Sequence, residues 1–275
     1  MLVTLRDILQ MAEKGGYAVP AFNVYNMETV MGVIAAAETE KSPVILQSYS
    51  RLFTNEEGYY VAPVALAAAH RASVPVCFHL DHGAGEKEVE RALRYGATGI
   101  MIDASTLPLD ENIAATRAVC ERCAYVGIGV EGELGHIGST KDEKVSDYTD
   151  PAEAARYVRE TGVAALAIMV GTAHGRYKKA PKLDIDRIRT VKELTGIPLV
   201  LHGGSGVPDA EITAAVAAGI RKVNFGTDLC YSFLDAVFAT SRDKIAIDLF
   251  MKEAIAAVSA FATSKIRLLG AAGRA

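Results

Sequence analysis

Eight short apolar runs, each parted from the next by a longer alanine-rich stretch, recur along the chain, and this alternation constrains the fold more than any other feature. The runs are "AVPAFNV" (18–24), "PVILQS" (43–48), "VPVCFHL" (74–80), "GIMID" (99–103), "YVGIGVE" (125–131), "ALAIMV" (165–170), "PLVLH" (198–202) and "KVNFG" (222–226). Short, nearly continuous apolar runs rich in β-branched residues read as strands buried on both faces. The stretches 26–41, 58–72, 86–95, 110–123, 151–161, 184–195 and 208–218 read as helices. Several open on a cap or an acidic first turn, at Asp110, Asp150-Pro151 and Pro208-Asp209. Several close on glycine, at Gly96, Gly162, Gly196 and Gly219. Strands joined through a helix run parallel. Eight such units in 275 residues predict a (β/α)8 TIM barrel with extra C-terminal helices, one domain over 1–275. A doubly wound open sheet is the alternative. It normally uses fewer strands, and no G-x-G-x-x-G follows the first strand.

Composition narrows the functional classes. Hydrophobic residues make up 50% of the chain and charged residues 23%, an ordinary balance for a globular protein with a sizeable core. The formal net charge is -4 and no block of Lys or Arg stands out, which argues against nucleic acid as a partner. No apolar run approaches the ~18 residues needed to span a bilayer. The opening "MLVTLRDILQ" carries an early Asp and lacks the apolar core of a secretory signal, so no membrane role is expected. Cys120 and Cys123 form a C-x-x-C within a helical pattern, without a second pair beside them. They read, with Cys77 and Cys230, as plain thiols of a cytoplasmic protein.

In such a barrel the active site lies at the C-terminal ends of the strands. Those are the places where polar residues concentrate: Asn23; His79, Asp81, His82 and Gly83; Asp103 and Ser105; Glu131 and Glu133; "GTAHG" with His174 and Gly175; "HGGSG" from His202; and "NFGTD" from Asn224. Histidines at three strand ends converge on one rim, and three protein ligands with one open position is the pattern of a catalytic zinc site. His82, His174 and His202 are the candidate ligands, with His79 a rival to His82 that spacing alone does not eliminate. His70 and His136 are expected at the surface, with a place lining the site the alternative for His136. The glycine-rich turns "HGGSG" and "NFGT", after the last two strands, suit a phosphate held by backbone N–H groups, with hydroxyls from Ser205 and Thr227.

These motifs resemble a known family. "VPVCFHLDHG", "VEGELGHIGS", "GTAHG", "LVLHGGSGVP" and "KVNFGTDL", followed by the tail "KIRLLGAAGRA", are similar in content and order to the class II, metal-dependent ketose-bisphosphate aldolases of the fructose- and tagatose-bisphosphate type. The resemblance implies reversible cleavage of a phosphorylated ketose into dihydroxyacetone phosphate and an aldehyde. It implies Asp81 as acid/base and His82, His174 and His202 as ligands of Zn2+ or another divalent ion, with a monovalent cation as a further cofactor. Asp103 and Glu133 match an alternative metal position. Asn23, Gly175, Gly203, Gly204, Ser205, Asn224, Phe225, Gly226 and Thr227 match the substrate and phosphate contacts. A homodimer or homotetramer is implied as well.

The chain departs from the family pattern in three places. Lys141, with Asp142 and Glu143 beside it, stands near the position of a loop glutamate. Tyr49 stands where Ser or Thr is frequent, and Gly226 where fructose-type members often carry a longer polar residue. The loop 136–148 is expected to be mobile; Lys141 is read as a solvated loop lysine or a phosphate contact, and Arg51 and Arg267 as surface arginines or contacts to a distal phosphate. No lysine sits at a strand's C-terminal end to form a Schiff base, and Lys222 is expected at the opposite end of strand eight. A metal-dependent barrel hydrolase and a sugar-phosphate-binding protein without catalysis are the alternative readings.

Overall fold

A computed structural model, which describes residues 1–140 and 148–275, turns the eight runs into parallel strands. They are β1 (Val19–Asn23), β2 (Val44–Tyr49), β3 (Val76–Gly83), β4 (Gly99–Ile102), β5 (Gly129–Leu134), β6 (Ala165–Ile168), β7 (Leu199–Leu201) and β8 (Ile220–Phe225). They close into a barrel in chain order. The closing pair runs from Val19 opposite Lys222 to Phe22 opposite Phe225, which rules out an open sheet. The helices are α1 (Leu5–Gly15), α2 (Met27–Glu40), α3 (Ser50–Thr54), α4 (Glu57–Arg71), α5 (Glu86–Arg94), α6 (Leu109–Ala124), α7 (Pro151–Thr161), α8 (Ile185–Thr195), α9 (Asp209–Ala218), α10 (Thr227–Ala239), α11 (Ile247–Phe250) and α12 (Lys252–Leu268). The fold is a TIM barrel.

Local chemistry accounts for the helix ends. Asp150 accepts N–H bonds from Ala152 and Glu153 with Pro151 in the first turn of α7, and Gly162 ends that helix in the left-handed conformation. The sequence reading did not include α1, although Thr4 and Asp7 form a reciprocal capping box at its start. Its buried Leu5, Ile8 and Leu9 pack under the barrel, and the Leu5 N–H bonds Thr98 O just before β4. The expected C-terminal helices are α10 to α12, with α12 packed on α2 and α10.

Two strands differ from expectation in ways that matter for the site. β5 begins at Gly129 rather than 125, because Tyr125 and Val126 are exposed and Gly127 makes a left-handed turn before the strand. Glu131 therefore lies inside the barrel rather than at its rim. β3 runs on to Gly83 with a bulge, where three residues from Leu80 to Gly83 span only two of β4, from Ile100 to Ile102. His82 takes φ 51°, a left-handed conformation that is uncommon without glycine. Its N–H turns to Met101 Sδ at 3.4 Å.

The first turn of the expected mobile loop is tied down. The Thr140 N–H bonds His174 O at 2.8 Å, and the His174 N–H bonds Gly138 O at 2.9 Å. Lys141, Asp142 and Glu143 lie outside the described residues. Among the described residues, no helix is long and apolar enough to cross a membrane.

The bulge depends on Gly83, where a Cβ would come 2.5 Å from Met101 O, a backbone atom that cannot rotate aside. Gly83→Ala is expected to lower stability by about 1–3 kcal/mol, as overpacking does. Urea unfolding measures this, and wild-type stability would show that the bulge relaxes freely.

Candidate active site

The C-terminal ends of the strands enclose a cavity of about 630 Å3. Residues at or just beyond the C-terminal ends of all eight strands meet there. Because of the β3 bulge, the consecutive Asp81 and His82 both line it, where a regular strand would send them to opposite faces. Asp81 is buried and accepts hydrogen bonds from Asn23 Nδ2 at 2.7 Å and Asn224 Nδ2 at 3.3 Å. Asn23 is fixed in turn by Gln47 Nε2, which donates to its Oδ1 at 2.9 Å.

His82, His174 and His202 each bring one ring nitrogen within 4.8 Å of the others. Carboxylates hold two of the rings from behind. Asp103 Oδ2 lies 2.7 Å from His82 Nδ1, and Glu131 Oε1 lies 2.9 Å from His202 Nε2. Each carboxylate takes the N–H facing it, so that His82 Nε2 and His202 Nδ1, 2.9 Å apart, point to a common centre. His174 Nε2 is buried with no hydrogen-bond partner among the described residues. Converging imidazoles backed by carboxylates, with an unsatisfied ring nitrogen beside them, are a donor set that fits a tetrahedral divalent ion. His82, Asp103 and Glu133 form a second group of the same kind. His79 lies outside both groups, deeper in the barrel, with Nε2 3.5 Å from Glu131 Oε2.

The electrostatics separate the three rings. Burial depresses His82, but Asp81, the Asp103 hydrogen bond and Glu133 outweigh it and push the group up to about 9. Burial and the neighbouring His82 hold His174 down to about 4 and His202 well below the ordinary imidazole range. Burial, then Asp103, raises Glu133 to about 8. Burial works against the Asp103 carboxylate, yet hydrogen bonds from His82 and Ser105 keep it well below the usual carboxylate range.

Lys222 is not at the far end of β8. It is the third residue of the strand, fully buried, with Nζ 2.9 Å from Glu131 Oε2. Lys222, Glu131 and His202 thus form a column along the barrel interior, which the sequence reading missed. Its sequence signal is a pair of opposite charges set inside two apolar strands.

Of the expected phosphate contacts, Asn23, Gly175, Gly203, Ser205, Asn224, Gly226 and Thr227 line the cavity. Two do not. The Gly204 N–H is already given to Asn224 O at 3.1 Å, and the Phe225 ring is buried against Phe22 and Phe261 in the core. At Gly226 a Cβ would stand 2.9 Å from Asn23 Oδ1, so this glycine admits the amide that orients Asp81. His136 is exposed, as expected, and also lines the cavity, with Nδ1 3.0 Å from Ser105 Oγ; His70 is exposed as well. Tyr49 and Arg51 also line it. Arg267 does not; it pairs with Glu40 through two bonds of 3.0 and 2.8 Å.

Removing Lys222 would leave Glu131 buried without a counter-charge. Lys222→Met is expected to destabilise the protein by about 3–5 kcal/mol, the range for breaking a buried pair. Adding Glu131→Gln should restore most of that loss. Chemical denaturation of the single and double variants measures the coupling.

The family model described as "Fructose-bisphosphate aldolase class-II" matches residues 3–274. The YdjI aldolase from Escherichia coli K12 is 36% identical, with 100% of each chain covered and a TM-score of 0.91. A Coccidioides immitis protein assigned as a fructose-1,6-bisphosphate aldolase is 27% identical, covering 98% of this chain and 97% of its own, with a TM-score of 0.91. The fructose-bisphosphate aldolase of Campylobacter jejuni shares the fold at 22% identity and a TM-score of 0.83, covering 100% of this chain and 97% of its own. The chain belongs to the class II fructose-bisphosphate aldolase family and is an aldolase of the carbon–carbon lyase type.

Proposed function

We propose that the protein carries out zinc-dependent, reversible aldol cleavage of a phosphorylated ketose of the fructose- or tagatose-1,6-bisphosphate type, giving dihydroxyacetone phosphate and an aldehyde. The observation that carries this reading is the placement of Asp81. Its carboxylate is held by two asparagine amides, 4.0 Å from His82 Nε2, above three converging imidazoles. In this reading His82, His174 and His202 hold the ion, and Asp103 and Glu133 offer the alternative position. Zinc bound there supplies Lewis-acid polarisation of the ketose oxygens.

The remaining work falls to the chain. Asp81 takes the proton of the C4 hydroxyl as the C3–C4 bond breaks and the aldehyde forms; the bonding pair stays with C3, which takes up a proton from water to give dihydroxyacetone phosphate, and in the direction of synthesis C3 loses that proton and Asp81 returns its own to the C4 oxygen. Asn23 and Asn224 donate to Asp81 and so keep its oxygens aimed. The phosphate of the dihydroxyacetone half lies against Gly175, Gly203 and Ser205 and the N-terminus of α10 at Gly226 and Thr227, where the helix dipole favours an anion.

The same reading makes 1–275 one catalytic domain of a cytoplasmic homodimer or homotetramer, with a monovalent cation as a second cofactor. Phe238, Ile245 and Ile247, 82%, 89% and 74% exposed along α10 and the segment leading into α11, support association between copies.

Two measurements test the proposal. Asp81→Ala is expected to keep its metal and lose at least ~10²-fold in kcat for ketose bisphosphate cleavage. Loss of metal in step with activity would make Asp81 a ligand or a support instead. Metal affinity should also depend on pH with a defined sign. The metal-free His82 keeps its extra proton below about 9, and a metal must displace that proton. Affinity is therefore expected to climb with pH up to about 9 and to fall below it, with proton release on metal uptake at neutral pH. Calorimetric titration in buffers of different ionisation enthalpy reads both effects, and pH-independent uptake would contradict the assignment of His82.

A further inference from the structure

We propose that His79 is a positioning residue: its ring donates an Nε2–H to Oε2 of Glu131 and so keeps the other carboxylate oxygen turned to His202. The inference rests on the zinc reading above and adds to it the residue that steadies the carboxylate behind one of the three ligands.

His79 is fully buried on β3, two residues before Asp81 and on the same inner face of the barrel. Among the described residues neither of its ring nitrogens makes a hydrogen bond of ordinary geometry. A buried polar ring left in that state is costly, and its surroundings show which nitrogen carries the proton. Nδ1 lies against Gly99. A Cβ there would stand 2.6 Å from Nδ1, 2.9 Å from Leu5 Cβ and 3.1 Å from Cys77 Sγ, so this glycine admits the ring. Nε2 faces the fully buried Glu131, with Oε2 at 3.5 Å. Nε2 is therefore the nitrogen with an oxygen in view, and the proton belongs on it. At 3.5 Å the contact is at the outer limit of a hydrogen bond, and a small tilt of the ring closes it. Burial, then Lys222, holds His79 down to about 3, so the ring offers a neutral donor and brings no second cation beside the lysine.

The need for such a donor follows from Lys222. Its ammonium stands 2.9 Å from Glu131 Oε2 and 3.2 Å from Oε1. Close to both oxygens, it neutralises the carboxylate without choosing which oxygen meets His202. His202 Nε2 lies 2.9 Å from Oε1, and His79 addresses Oε2. Rings at opposite oxygens fix the plane of the carboxylate, which the ammonium alone does not. A fixed carboxylate holds the proton of His202 on Nε2 and leaves its Nδ1 lone pair for the ion.

Metal-free wild type gives the first test, and it needs no variant. Long-range proton–nitrogen correlation spectra of protein labelled at histidine should show His79 and His202 both as the Nε2–H tautomer. A proton on Nδ1 of His79 overturns the proposal.

His79→Leu and His79→Gln give the second, because glutamine keeps a donor N–H near the place of Nε2 and leucine fills space without one. His79→Leu is expected to weaken zinc binding by about 10-fold in chelator competition, the low end for an outer partner of a metal ligand. Its metal-free His202 should show both tautomers, and the visible bands of its cobalt-loaded form should shift. His79→Gln should return the affinity to within about threefold of wild type and restore the wild-type bands, even where urea unfolding finds it no more stable than His79→Leu. Equal losses of zinc affinity in the two variants would make His79 a space-filling residue and overturn the proposal. So would wild-type zinc affinity in His79→Leu. If wild type takes up neither zinc nor cobalt, the zinc reading has failed, and the His202 tautomer in metal-free His79→Leu still decides whether His79 positions that ring.

Discussion

A fully buried lysine and glutamate on the barrel axis set the terms for everything above them. Taking Lys222 and Glu131 out of water is costly, and such pairs stabilise a fold weakly compared with apolar residues of the same volume. The 2.9 Å contact therefore makes best sense through what it does to its neighbour. Lys222 neutralises the carboxylate from both oxygens, 2.9 Å from Oε2 and donating to Oε1 at 3.2 Å, and Glu131 presents that Oε1 to His202 Nε2 and so fixes which ring nitrogen faces the cavity. His202 can then meet His82 at 2.9 Å with a lone pair to offer. Without the lysine, the same glutamate would be an uncompensated charge in the middle of a barrel.

The second constraint is geometric. A carboxylate and an imidazole that act on the same substrate must face the same way, yet neighbours on a strand face opposite ways. β3 resolves this with one extra residue and a left-handed His82, which brings Asp81 and His82 into one cavity. Strain of this sort persists only where the surroundings over-determine it. Here the Asp103 bond to His82 and the close approach of Gly83 to Met101 do so.

Much of this was legible in the sequence because a barrel puts its chemistry in predictable places. Polar strand ends pointed to Asp81, His174, His202 and one of His79 and His82 without any knowledge of contacts. What was not legible depended on depth. Glu131 and Lys222 looked like strand-end residues, because a charge inside an apolar run reads most simply as one that reaches water. Their opposite signs were the available clue. The start of β5 was misread because Tyr125 and Val126 continue an apolar run that in fact ends α6 on the surface. Phe225 lies within a phosphate-type motif, but alternation along β8 sends its ring to the core. Histidine spacing could not choose between His79 and His82, since the choice is made by a bulge that no local propensity announces.

The two ends of the cavity are built by different means, and that difference bears on how members of this fold diverge. At β7 and β8 the contacts are glycines, a serine hydroxyl and a helix N-terminus, all fixed by the course of the backbone. A site of that kind is kept as long as the fold is kept. At β1 and β2 the lining is the side chains of Tyr25, Tyr49 and Arg51, any of which a single substitution replaces. The Escherichia coli relative superposes at a TM-score of 0.91 while sharing 36% of its residues. A backbone shared that closely constrains an end that is lined by backbone amides. It leaves the side-chain wall free to vary, so discrimination among aldehydes has to be built where the side chains are.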